Sequence, residues 1–165
     1  IPSGDGFYWY GIHINNSTPL VARTNNSTYS GIGSELIGAE FKVTSATYNG
    51  QDITSTVLEG DQVFVFYVDE GNGRFSFTNY WRAQNTQSYG VVYGIKQKDY
   101  PATHDTYTST EYQFTWNYYN SYDSKTGSVM VTFTVILIEN VVKFTCKILD
   151  LDTNDICIYK GYLEQ

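Results

Sequence analysis

The sequence predicts an all-β fold, a single antiparallel β-sandwich of about nine to ten strands that occupies residues 1–165. Its length fits one domain. Apolar and polar residues alternate along most of the chain, with the period of two that is typical of strands. Helical periodicity is nearly absent. Short turn sequences separate the alternating segments, so consecutive strands are expected to pair antiparallel.

In the first half of the chain, five segments have strand composition. Residues 7–14 and 36–48 are rich in β-branched and aromatic residues. Two more strands, at 62–68 and 74–79, flank the sequence Asp69-Glu-Gly-Asn-Gly73. Its residues tolerate positive φ, so a hairpin is predicted there. A fifth strand is predicted at 89–96. The stretch that follows it, 97–106, is long for a hairpin connection and is therefore a candidate functional loop.

In the second half, the even positions of residues 112–118 are all aromatic and the odd ones all polar, which places four rings on one face of a strand. The odd positions of 129–137 are apolar in the same way. The pair Glu139-Asn140 is short enough to join this strand to the next as an antiparallel neighbour. Two last strands, at 141–149 and 156–163, flank an acidic turn.

Composition excludes several classes of protein. The chain has 16 Tyr, 9 Phe and 3 Trp, so aromatic side chains are as frequent as charged ones, whereas disordered chains are poor in aromatics. The net charge of −7 repels phosphate backbones, so binding of nucleic acid is not expected. No apolar run approaches the length of about 18 residues that a membrane-spanning helix needs.

The amino-terminal region carries candidate modification sites. Residues 1–6 have neither the basic segment nor the apolar core of a secretory signal, so the sequence is expected to be a mature or trimmed form. Overlapping Asn-x-Ser/Thr acceptors make glycosylation a prediction; the alternative is that Asn, Ser and Thr are simply common here. The acceptor residues are Asn15, Asn16, Asn25 and Asn26.

The two cysteines, Cys146 and Cys157, lie on either side of the acidic turn. With residues 151–152 as a two-residue loop they face each other and can form a disulfide. With residues 153–154 as the loop, Cys157 lies opposite Asp150 and no bridge forms. Buried free thiols are the alternative, and the sequence leaves both open.

The same turn offers alternating oxygen ligands, Asp150, Asp152 and Asn154, which makes calcium a candidate ion. The EF-hand pattern is not met, because Asp155 stands where a glycine is needed and Gly161 where a bidentate Glu is needed. An acidic β-turn that keeps a hairpin end soluble is the alternative. No other cofactor is expected.

Catalytic groups are sparse. The bases of neutral pKa are His13 and His104, and no nucleophile motif such as Gly-x-Ser-x-Gly accompanies them. The acidic residues form no recognisable pair of the kind that a glycosidase needs. The chain is therefore not expected to be an enzyme.

The aromatic excess is the strongest functional feature. In runs such as Tyr8-Trp9-Tyr10 and Tyr118-Tyr119, neighbouring rings must point to opposite faces, so some rings must be exposed. Exposed Tyr and Trp suit stacking on sugars, contact with lipid headgroups, or anchoring of protein partners. The residues expected to bind a ligand surround the end of one hairpin strand: Tyr80, Trp81, Arg82, Asn85 and Tyr89.

Three segments carry a resemblance to a known family. They are Ile12-His-Ile-Asn-Asn-Ser-Thr-Pro-Leu20, the hairpin from Phe64 to Trp81 with the Asn and Tyr that follow it, and Gly127-Ser-Val-Met-Val-Thr-Phe-Thr-Val135. They resemble the first strand, the lipid-headgroup hairpin and the closing strand of the aegerolysin and actinoporin-like β-sandwich cytolysins. The resemblance implies binding to membrane lipid and oligomerisation into a pore. Tyr80 stands where the family has a proline.

These features together predict a secreted, non-enzymatic recognition module that binds a glycan or a membrane lipid headgroup through exposed aromatics, with Asn85 and Arg82 supplying hydrogen bonds. An extracellular location, or one at a cell or virion surface, follows from that role. The alternative is a structural subunit of an extracellular filament, adhesive layer or virion surface that self-assembles through β-strand contacts.

Overall fold

The computed structural model describes residues 36–69, 71, 73–100, 107–138 and 140–164, and for Tyr107 it describes the backbone alone. The strand predicted at 7–14, the four acceptor asparagines and both histidines lie outside these ranges. None of the helices in the described ranges is long and apolar enough to cross a membrane.

The described chain is almost entirely antiparallel strand, which confirms the predicted all-β class. Long strands alternate with short connections, and one short helix follows the first hairpin. In chain order the elements are β1 (Phe41–Tyr48), β2 (Gln51–Asp52), α1 (Thr54–Gly60), β3 (Gln62–Asp69), β4 (Arg74–Trp81), β5 (Thr86–Tyr100), β6 (Tyr107–Asn120), β7 (Thr126–Ile138), β8 (Val141–Leu149) and β9 (Ile156–Leu163).

The sheet closes on itself into a barrel, where the sequence predicted a sandwich. Strands β3 to β9 pair in chain order, and β1 pairs with both β3 and β9, which joins the two ends of the sheet. Eight strands form the wall, and the two-residue β2 is attached to β1 alone. Alternation of apolar and polar residues is the same in sandwiches and barrels, so closure depends on pairing between the distant strands β1 and β9.

Aromatic rings fill the barrel. The predicted inward faces are confirmed, with Tyr112, Phe114 and Trp116 of β6 all buried. Phe133 of β7 lies at the centre, where its ring is completely buried. It packs edge-on against rings of β1 and β3 at centroid distances of 5.0 Å and stacks on Phe144 of β8 at 5.3 Å. Such ring pairs contribute about 0.5–1.5 kcal/mol each beyond the area that they bury.

Two inward-facing glycines allow strands to approach closely. A Cβ atom at Gly161 of β9 would lie 1.8 Å from the carbonyl oxygen of Lys42 on β1. The register between these strands shifts between Val43 and Ser45, at a β-bulge in the closing pair. A Cβ atom at Gly90 of β5 would lie 1.8 Å from the carbonyl oxygen of Asn117. Both positions therefore require glycine on steric grounds.

The helix α1 was not predicted from the sequence. It is two turns long and contains β-branched residues, so it has little helical periodicity. The Asp52 carboxylate accepts a hydrogen bond from the Thr54 N–H at 2.9 Å, and Asp61 ends the helix in a left-handed conformation, at φ 52°. Val57 is buried, so α1 covers part of one end of the core.

Candidate functional site

The structure places the residues that the sequence grouped as a binding site in two environments, the outer face and the contacts with α1 and neighbouring charges. Tyr80 lies on the outer face, where its hydroxyl donates to Asn85 Oδ1 at 2.8 Å across the β4–β5 turn. Trp81 faces α1, since a Cβ atom at Gly60 would lie 2.9 Å from Trp81 Cδ1. Tyr89 lies further along β5, on the outer wall. A ligand role for these residues stays a prediction. Tyr80 and Tyr89 occupy diagonal positions on the outer face, with Asn85 bonded to Tyr80, whereas Trp81 faces α1.

Arg82 belongs to a cluster of charges at the seam of the barrel, the place where β1 pairs with β9 and closes the sheet. Its guanidinium binds both carboxylate oxygens of Asp61, at 2.8 and 3.0 Å, and donates at 2.7 Å to Glu40 and to Glu164. Lys42 forms a further ion pair with Asp61. Lys42 lies in β1, and the other residues precede β1 and β3 or follow β4 and β9, so the Arg82 cluster links the strands that close the barrel. The donors of Arg82 are therefore engaged within the chain.

The cluster changes the acid–base properties of its members. Hydrogen bonds from Arg82 and then from Lys42 lower the pKa of Asp61 to about 2. The hydrogen bond to Glu164, followed by the one to Asp61, raises the pKa of Arg82. The Asp61 side chain remains 40% exposed, so solvent screens part of this effect. Because the pKa of Asp61 is lowered by folding, its stabilisation is present above pH 4 and is lost as the pH falls toward 2.

Replacing Arg82 with methionine is expected to lower the free energy of unfolding by about 2 kcal/mol at pH 7, because three carboxylates lose their shared donor. The difference from the parent protein should shrink as the pH falls from 4 toward 2, where the Asp61 carboxylate becomes protonated. Urea unfolding across this pH range measures both effects. Lys125→Met, at an exposed turn lysine, is the control. A loss that does not depend on pH would contradict the assignment.

An open groove of about 540 Å³ runs across the outer wall of the barrel. It is lined by residues of β5, β6 and β7, with Asp69 at the end of β3. The period of two along the strands turns Tyr89 and Tyr93 of β5 outward, and pairing places Tyr119 of β6 opposite Tyr89. We call this surface the tyrosine groove.

The rings of the tyrosine groove are both exposed and held in place. Tyr93 and Tyr119 are each 38% exposed. The rings of Tyr89 and Tyr119 pack edge-to-face at a centroid distance of 5.7 Å, and the Tyr119 hydroxyl donates to Ser124 Oγ at 3.2 Å. The guanidinium of Arg74 lies 4.8 Å from the centre of the Tyr93 ring. The groove thus presents preorganised aromatic surface to solvent.

Polar groups with defined orientation lie beside these rings. Asn117 Oδ1 accepts a hydrogen bond from Ser128 Oγ at 2.8 Å, which leaves the Asn117 amide nitrogen directed elsewhere. Asp69 Oδ1 accepts from the Gly71 N–H at 2.8 Å, and its carboxylate can accept further bonds. The groove therefore combines aromatic surface with hydrogen-bond donors and acceptors at its edge.

Gly127 and Tyr118 also line the groove, and they lie against each other. A Cβ atom at Gly127 would lie 2.5 Å from the Tyr118 hydroxyl oxygen. Tyr118 points inward, with its ring 5.1 Å from that of Trp116, and burial raises its pKa. The sequence indicated that Tyr118 and Tyr119 point to opposite faces, and the structure confirms it. It did not single out Tyr93 or Tyr119 for binding, although a period of two counted from Tyr89 leads to Tyr93.

The cysteines are free thiols in the structure. Neither register considered from the sequence is correct: residues 150–155 all lie in the turn, so Cys146 pairs with Tyr159, and Cys157 pairs with Ile148. Both thiols face inward on diagonal positions, and burial raises the pKa of each. The directly facing pair that the disulfide alternative required is absent from this register, and the structure has two free thiols.

The acidic turn uses its oxygens internally. Asp150 Oδ1 accepts hydrogen bonds from the N–H groups of Asp152 and Thr153, at 2.9 and 3.3 Å, and Asn154 adopts a left-handed conformation at φ 63°. Across the described ranges, no group of three or more His, Cys, Asp or Glu side chains is arranged to hold a metal ion. The geometry is that of a hydrogen-bonded β-turn, and calcium binding by Asp150, Asp152 and Asn154 stays a prediction.

Comparison with known proteins gave no match: no family model, no curated protein and no solved structure is similar to this chain.

Proposed function

We propose that the protein is a non-enzymatic recognition module that binds a carbohydrate in the tyrosine groove. The observation that carries this proposal is the exposure of Tyr93 and Tyr119 on adjacent strands, around one open groove. A sugar ring has an apolar face of C–H groups and a rim of hydroxyls. Tyrosine matches both, since it offers a flat apolar face and a hydrogen-bonding tip.

Preorganisation supports the proposal. The edge-to-face contact between Tyr89 and Tyr119 and the cation–π contact on Tyr93 hold the rings before any ligand arrives. A ligand that stacks on them therefore loses less free energy to the ordering of side chains. The open shape of the groove suits a chain of several sugar rings that lies along the barrel wall.

A carbohydrate fits this surface better than a phospholipid headgroup. A phosphate requires donors and positive charge, and the cation that contacts the groove tyrosines is Arg74, whose guanidinium is already stacked on Tyr93. Asp69 adds a negative charge to the lining. Carboxylate and amide groups beside aromatic rings instead match the hydroxyl groups of a neutral sugar.

The proposal is tested by finding a glycan that the parent protein binds on an array and measuring its affinity by calorimetry. Tyr93→Ala and Tyr119→Ala should each weaken binding by about tenfold, a loss of roughly 1–2 kcal/mol. Both side chains are exposed on the outer wall, so the fold is expected to tolerate the changes.

Two variants serve as controls in the same assay. Tyr162→Ala removes a tyrosine of similar exposure, 41%, on β9, and it should leave affinity unchanged. Trp81→Ala should also retain binding, because Trp81 packs against Gly60 of α1. If Trp81→Ala loses binding while Tyr93→Ala and Tyr119→Ala bind fully, the binding site lies at the β4–β5 turn and the proposal is wrong. Binding of the parent to phosphocholine vesicles and to no glycan would overturn the proposal.

The alternative role, a structural subunit assembled through strand edges, has less support. Pairing of β1 with β9 and with β3 joins the two ends of the sheet, so less strand edge is available to another subunit than in an open sheet. The part of β5 beyond its pairing with β4 carries Lys96 and Lys98, and lysines at a strand edge oppose edge-to-edge association.

A further inference from the structure

A second exposed surface lies at one end of the barrel, on the connections between strands. Four large apolar or aromatic side chains are exposed there: Tyr48 by 42%, Leu58 by 49%, Tyr122 by 81% and Leu151 by 60%. They come from β1, α1, the β6–β7 turn and the β8–β9 turn. We call this surface the end face.

Antiparallel pairing brings these connections to the same end of the barrel, and direct contacts link them. Asn49 Nδ2 donates to Asp155 Oδ1 at 2.9 Å, and the Ile156 N–H donates to Asn49 Oδ1 at 2.7 Å. Strand β7 lies between the two long turns: Thr126 pairs with Tyr119 of β6 and Met130 pairs with Leu149 of β8, so both turns lie at the same end of β7. The end face is therefore built from several turns that lie at one end of the barrel.

The two most exposed side chains stand on turns that are held rigidly. Asn120 Oδ1 accepts a hydrogen bond from the Tyr122 N–H at 2.8 Å, and the Ser124 N–H donates to the Asn120 carbonyl at 2.9 Å. Leu151 belongs to the β8–β9 turn, in which the Asn154 N–H donates to the Asp150 carbonyl at 2.7 Å. Fixed backbone thus presents Tyr122 and Leu151 to water, as a preorganised binding surface does.

The end face also has a strong charge of one sign. Its connections, residues 48–59, 121–125 and 150–155, carry six acidic residues and one basic residue, Lys125. Charge of this sign repels a second copy of the same face and repels anionic membranes. It favours a positively charged partner, and the apolar side chains among the charges favour one that also has an apolar anchor.

We propose that the end face is a docking surface for a basic polypeptide whose apolar side chains contact Tyr122 and Leu151. The carboxylates of the turns would pair with its lysines or arginines, and the exposed apolar side chains would be removed from water. This proposal does not depend on carbohydrate binding in the tyrosine groove.

The test uses a short fluorescent peptide of lysine and leucine, and a peptide of equal length made of lysine and serine. Anisotropy titrations of the parent should show the lysine–leucine peptide binding about tenfold more tightly than the lysine–serine peptide. The double variant Tyr122→Ser/Leu151→Ser should remove this difference and leave the lysine–serine peptide unaffected. Asp123→Asn with Asp152→Asn should weaken both peptides.

Matched controls place the effect on the end face. Val141→Ser with Tyr162→Ser removes side chains of comparable exposure, 46% and 41%, away from these turns, and should change neither affinity. Tyr93→Ala should also leave the affinity for both peptides unchanged, which distinguishes the end face from the tyrosine groove. An equal loss in the controls would overturn the proposal. Two other results would also overturn it. One is that the parent protein binds zwitterionic vesicles through Tyr122 and does not bind the peptide. The other is that the parent protein forms a dimer that the double variant does not form.

Discussion

Replacing Phe133 with alanine is expected to lower the free energy of unfolding by about 4 kcal/mol, the largest effect of any substitution considered for this protein. Its ring is completely buried and contacts rings from four other strands. Those neighbours belong to opposite sides of the wall and are fixed by pairing, so they cannot move together to fill the space. Alanine would leave a cavity at the centre of the barrel.

Guanidinium chloride unfolding of the parent, Phe133→Ala and Phe133→Leu measures this effect. Leucine retains most of the buried volume and should cost less than half as much as alanine. An alanine variant that loses less than about 1 kcal/mol would show that the neighbouring rings collapse into the space, which contradicts a rigid aromatic core.

Replacing Gly161 with alanine is expected to cost about 3 kcal/mol, through steric conflict at the closure of the barrel. The added Cβ atom would lie 1.8 Å from the Lys42 carbonyl oxygen and 2.9 Å from a ring carbon of Phe144. The first neighbour is backbone in the β1–β9 ladder, so relief requires the two strands to separate. Hydrogen bonds that close the barrel would weaken as a result.

Gly50→Ala provides the comparison in the same unfolding experiments. Gly50 has a positive φ of 83° with nothing within 4 Å of the added atom, so its cost is backbone strain alone, about 1 kcal/mol. Equal losses at the two positions would contradict the steric argument for Gly161. Hydrogen exchange should further show that amides of β1 and β9 lose more protection in Gly161→Ala than those of β6 and β7.

Local features of the fold could be predicted from the sequence, because they depend on neighbouring residues. The alternation of Tyr112, Phe114 and Trp116 identified an inward face, and Asn140 ended a strand with the left-handed conformation that a tight turn needs. The choice of barrel over sandwich could not be predicted. It depends on Phe41 meeting Leu163, and alternation within either strand carries no information about its distant partner.

The candidate site was predictable in kind and not in position. Adjacent rings such as Tyr118 and Tyr119 showed that some tyrosines must face solvent. Trp81 was expected to be one of the exposed rings, but the helix that contacts it is too short to be recognised in the sequence. Arg82 was expected to face a ligand, whereas it binds Asp61 and Glu164, which flank β3 and β9 and are far apart in the sequence. Long-range contacts of this kind decide which polar side chains remain accessible.

The order of the strands also determines how the barrel folds. From β3 to β9 each strand pairs with its neighbour in sequence, so hairpins can form early at a small cost in loop entropy. The pairing of β1 with β9 joins the two ends of the described sheet, which are far apart in the sequence, so we expect it to cost the most loop entropy and to form last. Interactions that form after the rate-limiting step slow unfolding and leave the folding rate unchanged. The seam, with Gly161 and the Arg82 cluster, therefore governs how long the folded barrel survives once it has formed.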